Sequence, residues 1–169
     1  PSGNCPDGWQ LMDNWCWKKV QTDSGGISYY DAQSQCSYDG ANLAKVEKVA
    51  QNELASGMVG DASGLMWLGA ECQLGLSGAD GKFVWKRDNK AVDRGYTNYD
   101  PSKSPTGHIQ CQPGNCLAIA GTNLGSKWKI VACVDSNILG GLCQKRPPTQ
   151  PSGPTPYPVE PTPYPVEPT

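Results

Sequence analysis

Leu65-Met66-Trp67-Leu68-Gly69-Ala70 is the longest apolar stretch of the chain, and it reads as one buried strand. It falls far short of the roughly 18 apolar residues that a membrane span requires. Before it lie two helical patterns. Tyr29, Ala32 and Cys36 recur with helical spacing between Ser28 and Tyr38, and Gly40 ends that run. Val46, Val49, Ala50, Leu54 and Met58 fall on one face of a second helix, with Gly57 and Gly60 at its end. Earlier still, Trp9, Leu11, Trp15, Trp17 and Val20 surround Cys16 in a pattern suited to strands. After the apolar stretch, Phe83 and Trp85 alternate with polar neighbours, and Asp88-Asn89 supplies a turn. Leu117–Ala120, Trp128–Val134 and Leu142-Cys143-Gln144 read as closing strands. Residues 93–115, rich in Gly, Pro, Ser and Asn, show no sustained period and form a loop longer than packing economy favours. Such loops commonly carry function or are pinned by disulfides. Two helices followed by many short strands give an α+β fold class.

The whole chain has 169 residues, enough for one ordinary domain plus an extension. Its 14 Lys+Arg against 16 Asp+Glu leave a formal charge of −2, without the basic surplus that phosphate neutralisation on nucleic acid needs. We therefore expect no nucleic-acid partner and no membrane span. His108 is the single histidine, so chemistry using two imidazoles is excluded and a serine nucleophile has one base to draw on. The domain is expected not to be an enzyme. No signal-peptide pattern occurs, and the start at Pro1 rather than Met leads us to expect a processed product. Ten of the 15 prolines fall after Arg146, which divides the chain into a head, residues 1–146, and a tail, residues 147–169.

All eight cysteines lie in the head: Cys5, Cys16, Cys36, Cys72, Cys111, Cys116, Cys133 and Cys143. An even number at this density points to four disulfides and an oxidising, secreted and extracellular setting. A zinc site is the alternative, but it usually takes a CxxC knuckle, and none occurs. Spacing alone does not choose among the 105 pairings of eight cysteines. No Asn-x-Ser/Thr acceptor for N-glycosylation is present.

In order along the chain, Cys5-Pro6, Trp9, Cys16-Trp17, Tyr30-x-Ala32-x-x-x-Cys36, Ala41-Asn42-Leu43-Ala44, Trp67-Leu68-Gly69-Ala70, Trp85, Tyr96-Thr97-Asn98-Tyr99, Cys116-Leu117-Ala118-Ile119, Lys127-Trp128, Cys133 and Leu142-Cys143 resemble the C-type lectin-like domain family in its long form. The resemblance covers most of residues 5–146. It implies two helices, short antiparallel strands and a long loop, stapled by Cys5–Cys16, Cys36–Cys143 and Cys116–Cys133. With those pairs taken, Cys72 and Cys111 are left to pair with each other, tying the strand after Trp67 to the end of the long loop.

Sugar-binding members of that family hold calcium with a Glu-Pro-Asn type triplet in the long loop, a following acid and a Trp-Asn-Asp triplet. Calcium takes six to eight oxygens, several from carboxylates. Here Ser104-Pro105-Thr106 stands at the first triplet, Lys129-Ile130 follows Trp128, and the only acids between residues 93 and 115 are Asp93 and Asp100. The resemblance therefore implies that the usual calcium-mediated sugar site is lost, and no cofactor is expected. A structural calcium near Glu47 and Glu53, found in some relatives, stays open; Gln144 stands where many of them place an acid. Pro105 is either a cis proline that shapes the loop or an ordinary turn proline. Gln112-Pro113-Gly114 reads as a turn.

The candidate ligand-contacting residues are Tyr96, Tyr99, His108, Gln112, Asn115 and Lys129 around the loop, together with Trp15. Tyr96 and Tyr99 either stack on a sugar or proline or pack beneath the loop. Trp15 and Trp17 alternate across Cys16, so one of them is expected to face outward. In the tail, Pro154-Thr155-Pro156-Tyr157-Pro158-Val159-Glu160 recurs as residues 161–167. Proline at nearly every second position excludes helix and sheet and favours an extended polyproline II rod of about 3.1 Å per residue. Thr155, Thr162 and Thr169, seven apart beside prolines, match O-glycosylated stalks. The tail is then a spacer, or a segment that docks on an aromatic groove of a neighbouring copy and builds a filament. The expected function is a secreted recognition and assembly module with a glycan or extracellular protein partner. The alternatives are a soluble lectin with a non-standard glycan site and, third, an ice- or mineral-binding protein.

Overall fold

The computed structural model describes residues 5–21, 25–60, 64–74, 81–100 and 111–148. Ser104-Pro105-Thr106, His108 and the repeat tail with Thr155, Thr162 and Thr169 lie outside them. The described chain forms strands β1 (Gln10–Met12) and β2 (Trp15–Gln21), helix α1 (Tyr29–Tyr38), β3 (Asn42–Leu43), helix α2 (Val49–Val59), then β4 (Leu65–Gln73), β5 (Lys82–Trp85), β6 (Asn115–Ala120), β7 (Trp128–Ala132) and β8 (Gly140–Lys145). One sheet runs β1-β2-β8-β4-β6-β7, with β3 added on β8 and β5 on β4. The pairs are antiparallel except β4 with β8, where Met66 and Trp67 lie parallel to Gly140 and Gly141.

The apolar stretch at residues 65–70 becomes the central strand because both faces of β4 are covered. Met66, Trp67, Leu68 and Ala70 have no exposed surface. Met66 and Leu68 join the larger core with Trp17, Trp85 and Trp128, while Trp67 turns to a second core with Tyr29, Ala32 and Cys36. Trp67 donates its indole N–H to the Ile27 carbonyl at 2.8 Å, so its one polar atom is satisfied inside. Gly69 permits the contact with β3: a Cβ there would sit 2.8 Å from the Leu43 carbonyl carbon.

Helix α1 matches the sequence reading. Ser28 caps it by accepting from the Asp31 amide at 3.2 Å, and Tyr29, Ala32 and Cys36 face inward. Helix α2 matches in part: it forms, Val46 is buried just before it, and Leu54 and Met58 pack against the larger core. Val49 is 56 % exposed and Ala50 is exposed, while Gln51, Asn52, Ala55, Ser56 and Val59 form the buried face. The polar three turn inward because each has a partner there. Gln51 accepts from the Glu47 amide at 2.7 Å, Asn52 accepts from the Trp128 indole at 2.7 Å, and Ser56 donates to the Ala120 carbonyl at 2.9 Å.

Trp15 and Trp17 also depart from expectation, since both are buried. Trp17 donates to the Met12 carbonyl at 3.1 Å. Trp15 is covered from outside by the guanidinium groups of Arg87 and Arg146, 4.0 and 3.7 Å from its ring centre. Planar cations stack on an aromatic face, and the Arg87 head is paired with Glu47 and Gln144, so together they hide a ring that strand alternation would leave exposed.

All four disulfides are formed: Cys5–Cys16, Cys36–Cys143, Cys72–Cys111 and Cys116–Cys133. The Cys72–Cys111 bridge fastens the end of β4 to the end of the long loop, where Cys111 also bridges to Gly81 at the start of β5.

Candidate functional site: the long-loop face and a basic groove beside it

The long loop starts from a single 3-10 turn at Val92–Arg94, and its first residues, up to Asp100, lie against Trp128. Four rings meet there. Trp85, Tyr96 and Tyr99 stand edge-on to the Trp128 indole, with centres 5.7, 5.9 and 5.6 Å away. Tyr99 is held deep, at 7 % exposure, and its hydroxyl donates to Asp93 at 3.1 Å. Burial and the Asp93 charge push that phenol well above its ordinary pKa. Tyr99 therefore belongs to the packing under the loop and presents no free ring face. Tyr96 is half-buried and keeps one side toward solvent. Residues 98–100 then run beside β7. The Trp128 amide donates to the Asn98 carbonyl and the Asp100 amide to the Trp128 carbonyl, both at 2.9 Å.

Next to this ladder the Lys129 ammonium pairs with the Asp100 carboxylate. Lys129 is thus engaged in holding the loop, and one of the two loop acids is neutralised by a resident cation. The place after Trp128 does not fit the calcium ion that sugar-binding relatives use, because it offers an ammonium and an alkyl chain where oxygens are required. Near Glu47 the outcome is similar. Arg87 donates to Glu47 at 2.8 Å and to Gln144 at 2.7 Å, and Lys45 lies 3.6 Å from the same Glu47 and 2.5 Å from Asp88. A guanidinium and an ammonium fill the space between those oxygens.

Gln112 and Asn115 lie away from the Trp128 cluster. Gln112-Pro113-Gly114 is a turn, closed by the Asn115 amide donating to the Gln112 carbonyl at 3.2 Å, with Gly114 at φ 95. Proline second and a positive-φ glycine third is the type II pattern. Gln112 is exposed and Asn115 begins β6 opposite Ala132. Trp15 sits elsewhere, beneath Arg87 and Arg146. Of the seven candidates, the structure brings together Tyr96, Tyr99 and Lys129, separates Gln112, Asn115 and Trp15, and leaves His108 outside the described residues.

A groove that the sequence reading missed opens beside Tyr96. Its volume is about 890 Å³, and its lining includes Lys82, Val84, Lys90, Arg94 and Tyr96. The signal was present: residues 82–94 carry Lys82, Lys86, Arg87, Lys90 and Arg94 against Asp88 and Asp93, on a chain whose formal charge is −2.

The carboxylates of this region predict a pH response. Burial alone would raise Glu47 and Asp88. Arg87 and Lys45 outweigh it at Glu47, and Lys45 with the Lys90 amide outweighs it at Asp88, so both stay below the usual carboxylate range. The hydrogen bond from Lys48 does the same for Asp13. A depressed folded-state pKa contributes stability that is full above the unfolded value and lost as pH falls through it. The melting temperature should be flat from about pH 7 to 5 and drop below about pH 4. A melting temperature that rises on acidification overturns the assignment.

The comparisons with known proteins agree with this geometry. The sequence profile of the lectin C-type domain matches residues 26–145, and the chain belongs to that family. No curated protein matches the sequence at a significant level. Among solved structures, the cow C-type carbohydrate-recognition domain of CD23, determined in the presence of GlcNAc2Man3 oligosaccharide, is 21% identical, with 85% of this chain and 97% of that one covered and a TM-score of 0.63. A calcium-independent type II antifreeze protein is 21% identical over 85% of this chain and 95% of its own, at a TM-score of 0.60. Human lithostathine is 18% identical over 85% and 91%, at a TM-score of 0.63. At these identities the likeness concerns the fold.

Proposed function

We propose that the protein is a secreted, non-enzymatic recognition and assembly module. In this reading its head, residues 1–146, engages a glycan or an extracellular protein without calcium. The observation that carries the reading is the Lys129–Asp100 ion pair beside Trp128, at the position where the family resemblance implies oxygen ligands. A calcium-independent antifreeze protein of the same fold is consistent with it. Four disulfides support an extracellular setting. The tail, residues 147–169, spaces the heads or joins them, as proline repeats dock on aromatic surfaces.

Titration of calcium into the full chain should give no saturable binding, and the melting temperature should be the same in chelator and in calcium. Tight calcium binding with a raised melting temperature would sink the calcium-free reading. Light scattering of the chain cut after Arg146 tests the tail: loss of a concentration-dependent oligomer supports assembly, and an unchanged monomer removes it while leaving recognition standing. A second reading, a soluble lectin that takes glycans at a non-standard site, is favoured by the basic groove beside Tyr96.

A further inference from the structure

The geometry points to an anionic glycan, a chain bearing sulfates or uronic carboxylates, as the ligand of the groove between β5 and the start of the long loop. The inference rests on the reading of calcium-free glycan recognition and names the ligand class and the site. Lys82 and Val84 alternate with buried Phe83 and Trp85 along β5, so the first two share the outer face. The turn after β5 folds back on it: Trp85 donates to the Lys90 carbonyl at 2.9 Å, and Val84 bridges to Ala91. That return places Lys90 beside the strand. The 3-10 turn then adds Arg94, and Tyr96 closes the groove.

Three of its cations are available. Lys82, Lys90 and Arg94 are exposed, and none pairs with a carboxylate among the described residues, whereas Lys45 at the far side is engaged by Asp88 and Glu47. The three come from strand, turn and 3-10 segment and line one groove, so a polyanion lying in it has more than one cation to meet. Val84 and the Tyr96 ring line the same groove, apolar surfaces suited to the C–H face of a pyranose. Gln73 and Asn89 line the same groove, and each amide both donates and accepts, as vicinal hydroxyls require. The Cys72–Cys111 bridge sits at the base of this wall; a Cβ on Gly81 would lie 2.5 Å from the Cys72 sulfur, so hairpin, bridge and loop end are in close contact. The cations therefore stand on a fixed frame, which lowers the ordering cost of binding.

The test is calorimetric titration of a size-defined heparin oligosaccharide into the full chain in chelator. Binding is expected, and Lys82→Gln with Lys90→Gln and Arg94→Gln should weaken it at least about tenfold, as three partly exposed ion pairs are lost. Lys18→Gln with Lys19→Gln, on the β2 side of the head, should leave affinity within about twofold. All these side chains are at the surface, and equal melting temperatures verify that the variants fold. Equal affinity of the triple variant and the unaltered chain overturns the site. Equal displacement of the oligosaccharide by polyglutamate overturns the glycan in favour of an acidic peptide. If neutral glycans bind in chelator and heparin does not, this inference fails while calcium-free recognition stands. If every glycan requires calcium, both fail.

Discussion

Trp128→Ala should lower the unfolding free energy by about 4 kcal/mol in a urea titration, a large part of what a domain of this size has. The indole is 1 % exposed, with three aromatic rings edge-on to it. Removing it opens a void between α2, β5 and the loop. It also strands the Asn52 side-chain oxygen, which is itself buried and accepts from the indole N–H. A buried acceptor without a donor costs about 1–3 kcal/mol. Trp128→Phe separates the two contributions, since it keeps most of the ring contact and loses the N–H; about 2 kcal/mol is expected. A loss under about 1 kcal/mol for the alanine variant would show that the rings do not depend on this centre. Because Tyr96 rests on the same indole, the variant should also blunt any ligand binding at the adjoining groove.

The second large effect is at Cys36–Cys143. These residues are 107 apart in sequence, and both are fully buried. On the loop-entropy account a closed loop of that length contributes about 4–5 kcal/mol, reduced here because Cys72–Cys111 and Cys116–Cys133 already shorten the chain it encloses. Replacing both by Ala should cost about 4 kcal/mol in thermal melts without reductant. The same exchange at Cys5–Cys16, 11 apart, should cost about 2–3 kcal/mol, and the order of the two losses is the check. A larger loss at Cys5–Cys16 would refute the loop-length account.

The elements legible in the sequence were those in which apolar spacing and packing agree. Tyr29, Ala32 and Cys36 face inward because their spacing puts them on one side of the helix, against Trp67 and the Cys36–Cys143 bridge. The apolar run at residues 65–70 is central because a strand covered on both faces has no reason to alternate. The buried face of helix α2 was legible only in part, because hydrophobic spacing gives no weight to an amide whose partner lies 76 residues away, as Trp128 does from Asn52. Trp15 was expected to compete for the outside, since alternation does not anticipate two arginines from distant segments closing over it. The site was legible only in part. Lys129-Ile130 after Trp128 was visible in the sequence, and the structure adds that Lys129 is used on Asp100. Lys82, Lys90 and Arg94 do not stand out in the sequence, because their convergence depends on how the turn after β5 folds back.

Strand β8 ends at Lys145, pairs there with Cys16, and carries Cys143 two positions earlier. A pull transmitted through residue 147 therefore peels Arg146, Lys145 and Gln144 and then meets a covalent anchor to helix α1. Mechanical tension on the tail stops at that sulfur link, so the head resists unravelling from this end for as long as the link stays oxidised.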